Sequence, residues 1–149
     1  MNRRTTFLNA LLIITAIAVS GCASVKKADS AKDSEVKQFV ASPNKAQVYI
    51  YRNEVLGAAL AMPVTVDGKL IGKTGPKSFF KLDLTEGKHT LTSQGSESTL
   101  DLNTENGKIY YVWQEVKMGV MSGGSKLQLV DAAKGQKGVK ECSLIDASL

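Results

Sequence analysis

Histidine occurs once in this chain and cysteine twice, and those two shortages remove much of the chemistry that 149 residues could carry. Structural zinc takes four nitrogen or sulfur ligands, more than His89, Cys22 and Cys142 can supply. A Ser-His-Asp arrangement would have to use His89, and no G-x-S-x-G elbow accompanies it. The glycine-rich stretch Gly119 to Gly124 lacks the Gly-Lys-Ser/Thr ending of a phosphate loop, and Gly123-Gly124-Ser125-Lys126 leads into a strand pattern instead of a helix. Aromatic residues make up only 6% of the chain and the net charge is a mild +5. A nucleic-acid footprint would show clustered Lys and Arg with interleaved aromatics, so no nucleic-acid partner is expected. The carboxylates Asp83, Glu86, Glu97, Asp101 and Glu105 fall on strand faces or turns, without the apolar setting that separates the pKa values of an acid and a base. No catalytic set, metal or cofactor is expected, and a hydrolase built on His89 is a remote alternative.

Long apolar runs are also missing. The stretch Phe7 to Val19 is uncharged and apolar but falls short of the roughly 20 residues that cross a bilayer. Arg3 and Arg4 precede it and small residues follow, the three parts of a secretory signal. Val19-Ser20-Gly21-Cys22 resembles the lipobox of bacterial lipoprotein precursors. The resemblance implies cleavage between Gly21 and Cys22, a diacylglyceryl group on the Cys22 thiol and an acyl group on its freed amine. Several acyl chains on one residue hold a protein to a membrane stably, where a single chain holds it reversibly. In such lipoproteins an aspartate after the cysteine retains the protein at the inner membrane, so Ala23 points to the outer membrane, with the domain facing the periplasm. Loss of Arg3 and Arg4 with the signal lowers the charge to about +3. With Cys22 acylated, Cys142 becomes a lone thiol, expected to be buried and inert.

Three segments follow: a signal over residues 1–21, a lipidated flexible tether over 22–43, and a single domain over 44–149. The tether is polar and of mixed sign, with Lys26, Lys27, Asp29, Lys32, Asp33, Glu35 and Lys37. As a coil of about 20 residues it would hold the domain roughly 25 Å from the bilayer. Ser34 to Val40 has room for one or two helical turns, with Val36, Phe39 and Val40 on one side, before Pro43.

Beyond Pro43 the signals are those of strands and tight turns. Ala46 to Arg52 alternates Val48 and Ile50 with Tyr49 and Tyr51. Asp67-Gly68 between apolar runs is the strongest short hairpin signal, because a type I′ turn needs positive φ at both central residues. Ser78 to Leu84 faces Phe80, Leu82 and Leu84 inward, Lys88 to Ser93 faces His89 and Leu91 inward, and Thr99 to Asn103 does so with Leu100 and Leu102. Asn106-Gly107 reads as another hairpin turn. Ile109 to Lys117 is apolar on both faces and reads as the central strand, and Lys126 to Asp131 is the last clear one. The spacing predicts an all-β fold, an antiparallel sandwich of seven to eight strands without a helical layer. The segment Asp131 to Leu149 stays open between an edge strand and a short helix, since Gly135 and Gly138 weaken a helix.

Two stretches invite contact with a partner. The first is the loop Met118, Gly119, Val120, Met121, Ser122, Gly123 and Gly124, where glycines give mobility and methionines adapt to a partner's shape. The second is Asn53 to Met62, small and apolar. Lys134, Lys137 and Lys140 read as a solvated turn.

The sequences YIYR at Tyr49 to Arg52, VTVDGKLIG at Val64 to Gly72, SFFKLDLTEGKHTL at Ser78 to Leu91, GKIYYVWQEV at Gly107 to Val116 and LQLVD at Leu127 to Asp131 resemble the bacterial domain-of-unknown-function family 2846 (DUF2846). The likeness runs from about Phe39 to near the C-terminus. The central DGK-x-IG and G-x-H-x-L are similar to PEGA repeats, small sandwich modules of bacterial envelope proteins, although Thr74-Gly75-Pro76 stands where those repeats have Thr-Pro. The resemblance implies a prealbumin-like or immunoglobulin-like sandwich and no activity. The combined expectation is a non-enzymatic envelope lipoprotein, anchored through Cys22, that binds an envelope protein or serves an envelope-assembly or stress role. Its alternative is a glycan binder or hydrolase inhibitor that uses Tyr49, Tyr51, Tyr110, Tyr111 or Trp113 where they reach the surface.

Overall fold

The computed structural model of the chain describes residues 25–95, 98–119 and 123–148. The signal segment, Gly21, Cys22, Val120 and Met121 lie outside the described residues.

Among the described residues nine strands, against the seven to eight expected, form two facing sheets. They are β1 (Ala46–Arg52), β2 (Met62–Val66), β3 (Lys69–Thr74), β4 (Ser78–Leu84), β5 (Gly87–Thr92), β6 (Thr99–Thr104), β7 (Ile109–Met118), β8 (Gly123–Val130) and β9 (Ser143–Leu144). One sheet has the order β8-β7-β1-β4-β9 and the other β3-β2-β5-β6. Pairing is mainly antiparallel, but β1 runs parallel to β7 and β4 parallel to β9. The central strand of the larger sheet is β1, not β7. Every residue of β1 is buried, while β7 ends in two exposed residues.

Alternation decides which face each side chain takes. Val48, Ile50, Phe80, Leu82, Val112 and Leu127 meet Val64, Ile71, Leu91 and Leu102 between the sheets. At the Asp67-Gly68 turn φ is 51° and 80°, as a type I′ hairpin requires. Asn106-Gly107, in contrast, makes no hairpin. It carries the chain from β6 in one sheet to β7 in the other, and the Gly107 N–H donates to the Lys45 carbonyl at 3.0 Å.

The absence of a helical layer is corrected by two helices, α1 (Ser30–Val36) and α2 (Ala132–Lys140). Both supply side chains to the outer face of the larger sheet, where Tyr49, Tyr51, Phe79 and Tyr111 form a second core with Val139, Cys142 and Leu144, and Val36 and Phe39 pack against it. The ring of Phe39 stands edge-on to Tyr49 at 5.4 Å and to Tyr111 at 5.8 Å, and the two tyrosines stack at 5.5 Å. Asp29 starts α1 by accepting the Ala31 N–H at 2.8 Å, one turn earlier than the apolar positions suggest. Phe39, at φ 53°, turns the chain out of the helix. Asp131 caps α2 in the same way, through the Lys134 N–H at 2.9 Å.

These contacts also correct the flexible tether. Lys27 bridges to Ile145, the Ala28 N–H donates to the Leu144 carbonyl at 2.8 Å, and Asp33 accepts the Leu144 N–H at 2.6 Å. Lys37 donates to Asp33 at 2.6 Å and to the Cys142 carbonyl at 2.7 Å. Mixed charge is usual for a solvated coil, but here the opposite charges satisfy one another and the backbone of β9. Residues from Val25 through Phe39 are therefore part of the folded domain. Val40, expected beside Val36 and Phe39, is 73% exposed instead.

Candidate functional site

Strand β1 ends in a buried arginine. Arg52 is fully enclosed, and its guanidinium donates from Nη1 to the Leu60 carbonyl at 2.6 Å and from Nη2 to the carbonyls of Leu56 at 3.1 Å and Gly57 at 2.7 Å. A five-donor planar fork can gather several carbonyls at once, and here it winds the 53–61 loop around itself. The Leu60 N–H closes a turn onto the Gly57 carbonyl at 2.8 Å, and Gly57 sits at φ 66°, where a side chain would be strained. Burial lowers the Arg52 pKa, an effect that the nearby Glu54 opposes. Burial also raises the Glu54 pKa, countered in part by the Val116 N–H that its carboxylate accepts at 3.4 Å.

The loop held by Arg52 lies against the β7–β8 hairpin. A Cβ on Gly57 would come within 3.4 Å of Val116 Cγ1 and 3.6 Å of Met118 Sδ, and a Cβ on Gly123 would stand 2.3 Å from Leu60 Cδ1. Gly123 and Gly124 are therefore sites of close approach, not sources of mobility. On its other side Gly124 touches Gly95, while Gln94 Nε2 donates to the Gly123 carbonyl at 2.8 Å and Ser125 N–H donates to the Gln94 carbonyl at 2.5 Å. Behind the hairpin, buried Gln114 accepts from Thr74 Oγ1 and donates to Ser93 Oγ, both at 2.5 Å, linking the two sheets.

Onto this fixed frame Val55 and Leu56 of one apolar stretch and Met118 of the other project together. Val55 is 66% exposed, Leu56 54% and Met118 56%. Each stretch is visible in the sequence as a separate candidate. Their union depends on the parallel pairing of β1 with β7, which brings both strand ends to one end of the sheet. Nothing in the sequence marks Arg52, because an arginine closing a strand normally reads as exposed.

The other candidate residues sit elsewhere. His89 is nearly buried, with Nδ1 2.7 Å from Asp67 Oδ2 and Nε2 donating to the Thr85 carbonyl at 2.9 Å. Burial works against a charged ring, but the bonds to Asp67 and Thr85 outweigh it and raise the pKa. The bond from His89 holds the Asp67 carboxyl below its usual range. Both ring nitrogens are thus committed to fixing the Asp67-Gly68 turn over the Thr85 end of β4. Cys142 is buried and its Sγ lies 3.4 Å from the Arg52 carbonyl, and burial pushes its thiol up to about 12. That is the inert thiol the sequence suggests.

The aromatic residues offered for glycan stacking are largely covered. Tyr49, Tyr51 and Tyr111 are buried in the second core. Tyr110 packs against the inter-sheet core, where its hydroxyl accepts the Glu105 N–H at 3.0 Å. Trp113 is half-buried with Lys134 Nζ 4.2 Å above its ring. Lys140 likewise lies 5.7 Å over Phe39, so these lysines pack on aromatic faces instead of forming a wholly solvated turn.

A family model described as "Protein of unknown function (DUF2846)" matches residues 42–125. The chain belongs to the DUF2846 family. The DUF2846 match takes in the Arg52 loop and all of β7, begins after α1 and ends at the start of β8, before α2. An uncharacterized protein of Haemophilus influenzae (strain ATCC 51907 / DSM 11121 / KW20 / Rd) is 35% identical over 142 residues, covering 93% of this chain and 84% of its own. That length extends beyond the DUF2846 match into both helical segments. No solved structure matches the chain.

Proposed function

We propose that this DUF2846 protein is a non-enzymatic envelope lipoprotein, anchored through acylated Cys22 at the outer membrane and facing the periplasm. Its sandwich binds another envelope protein through the patch of Val55, Leu56 and Met118. The observation that carries the reading is that Val55 and Leu56 of the 53–61 loop and Met118 at the end of β7, more than sixty residues apart in sequence, are exposed at one end of a frame fixed by Arg52. Contiguous exposed apolar surface marks interaction sites. A preordered loop loses little conformational entropy when a partner docks. The lipobox-like Val19-Ser20-Gly21-Cys22, the choice of Ala23 and the PEGA-like central segment support the envelope setting.

In-cell photocrosslinking tests the patch. A crosslinker at Leu56 or Met118 is expected to trap the same discrete envelope protein, and one at Leu129, an exposed leucine on β8, is not. Leu56→Asp combined with crosslinking from Met118 is expected to lower capture at least tenfold, since burying an unpaired carboxylate in an apolar contact costs several kcal/mol. Equal capture from Leu129, or capture of bulk lipid alone, contradicts the reading.

A further inference from the structure

The N-terminal segment is docked on the domain from Val25 onward. Val25 packs against the inter-sheet core, and the Lys27–Ile145 bridge and the Ala28–Leu144 hydrogen bond fasten the following residues to β9. Only three Cα–Cα steps of 3.8 Å separate Cys22 from Val25, a reach of about 11 Å. A domain of this size has a radius of gyration near 13 Å. A leash shorter than that radius, fixed at one edge, leaves the domain little freedom to roll.

The edge in question is built by β3 of one sheet and β9 of the other. It carries a cavity of about 320 Å³ lined by Val25, Phe80 and Ile145 with Lys26, Lys73 and Asp146 at its rim. Lys26, Lys27 and Lys73 are exposed. Asp146 is paired with Lys32 at 2.7 Å, which leaves the rim with a cationic excess.

Building on the proposed acylation of Cys22, we infer that the β3–β9 edge lies directly on the bilayer, with Lys26, Lys27 and Lys73 against anionic phosphate headgroups. The stand-off expected of a 20-residue coil disappears. The Val55–Leu56–Met118 patch, at the ends of β1 and β7, stays open to a protein partner while the β3–β9 edge is occupied by lipid.

Fluorescence quenching on vesicles tests this with the acylated full-length mature chain. A single cysteine is introduced as Lys73→Cys on β3 or as Asn103→Cys on β6, the opposite edge of the smaller sheet. The buried, unreactive Cys142 does not compete for label. Vesicles contain phosphatidylethanolamine, phosphatidylglycerol and a headgroup-attached quencher. The label at position 73 is expected to be quenched at least threefold more than the label at position 103, and a twelve-residue Gly-Ser insertion after Ala23 is expected to erase the difference. Equal quenching in chains that float with the vesicles overturns the inference and leaves the anchor standing. Failure of the chain to float overturns acylation, and the inference with it.

Discussion

Replacing Arg52 with methionine is expected to lower the melting temperature by roughly 10 °C and release the 53–61 loop. Two effects oppose each other. Methionine matches the length of the arginine stem and removes a buried charge, and apolar replacement of buried ions is often neutral or stabilising. The Nε of Arg52, buried without a partner, adds to that relief. Against it stand three charge-assisted hydrogen bonds to Leu56, Gly57 and Leu60, each worth about 1.5–3 kcal/mol. The sum exceeds the relief, leaving a net loss of about 3 kcal/mol. Because the carbonyls belong to a surface loop, they recover water once the loop peels away. The loss therefore falls on loop order first. Hydrogen exchange at the Leu60 amide, which is bonded to Gly57, is expected to accelerate before global unfolding. Arg52→Lys keeps the charge but not the fork and is expected to fall between the two. A methionine variant with native stability and a protected Leu60 amide would show that Arg52 does not hold the patch.

Alanine at Gly135 or Gly138 is expected to destabilise the protein by about 3 kcal/mol each, although it improves the helix. Intrinsic propensity favours alanine over glycine by about 1 kcal/mol in a helix interior. The new Cβ would stand 2.2 Å from Tyr111 Cγ at position 135 and 2.1 Å from Tyr51 Cε2 at position 138. Real Cβ contacts do not fall below 3.0 Å, so either the ring or the helix must move. Neither ring can yield. Tyr111 is held between Phe39 and Tyr49, and Tyr51 is fully buried on the central strand. Helix α2 must therefore lift, taking Val139 and Cys142 out of the second core. Tyr51 reports this directly. Burial pushes its hydroxyl up to about 12 from an ordinary 10.0, and in Gly138→Ala a spectroscopic titration is expected to show that value returning toward 10. Unchanged titration with unchanged stability would contradict the packing described for α2.

These glycines also explain why α2 was ambiguous in the sequence. Its helix is selected by tertiary packing against flat aromatic faces, where there is room for glycine and not for alanine, and local propensity argues the other way. The strands were legible for the opposite reason. Val48 and Ile50 signal one buried face, but the tyrosine face is open to two readings, a surface stripe or a covered core. Only the α1 and α2 segments decide between them, and α1 has just Val36 and Phe39 to announce its docking. At the candidate site, the apolar composition of 53–62 and 118–124 was visible. That they meet was not, because the β1–β7 pairing joins residues that no short-range pattern connects.

The proposed anchoring at Cys22 underlies both the proposed envelope setting and the proposed stance of the β3–β9 edge, and intact-mass analysis of the chain extracted from membranes tests it most directly. The expected product begins at Cys22 and carries a diacylglyceryl group and an amide-linked acyl chain, while Cys22→Ser leaves an uncleaved, unacylated precursor. A wild-type chain that retains Met1, or one cut elsewhere with an unmodified Cys22, would contradict it.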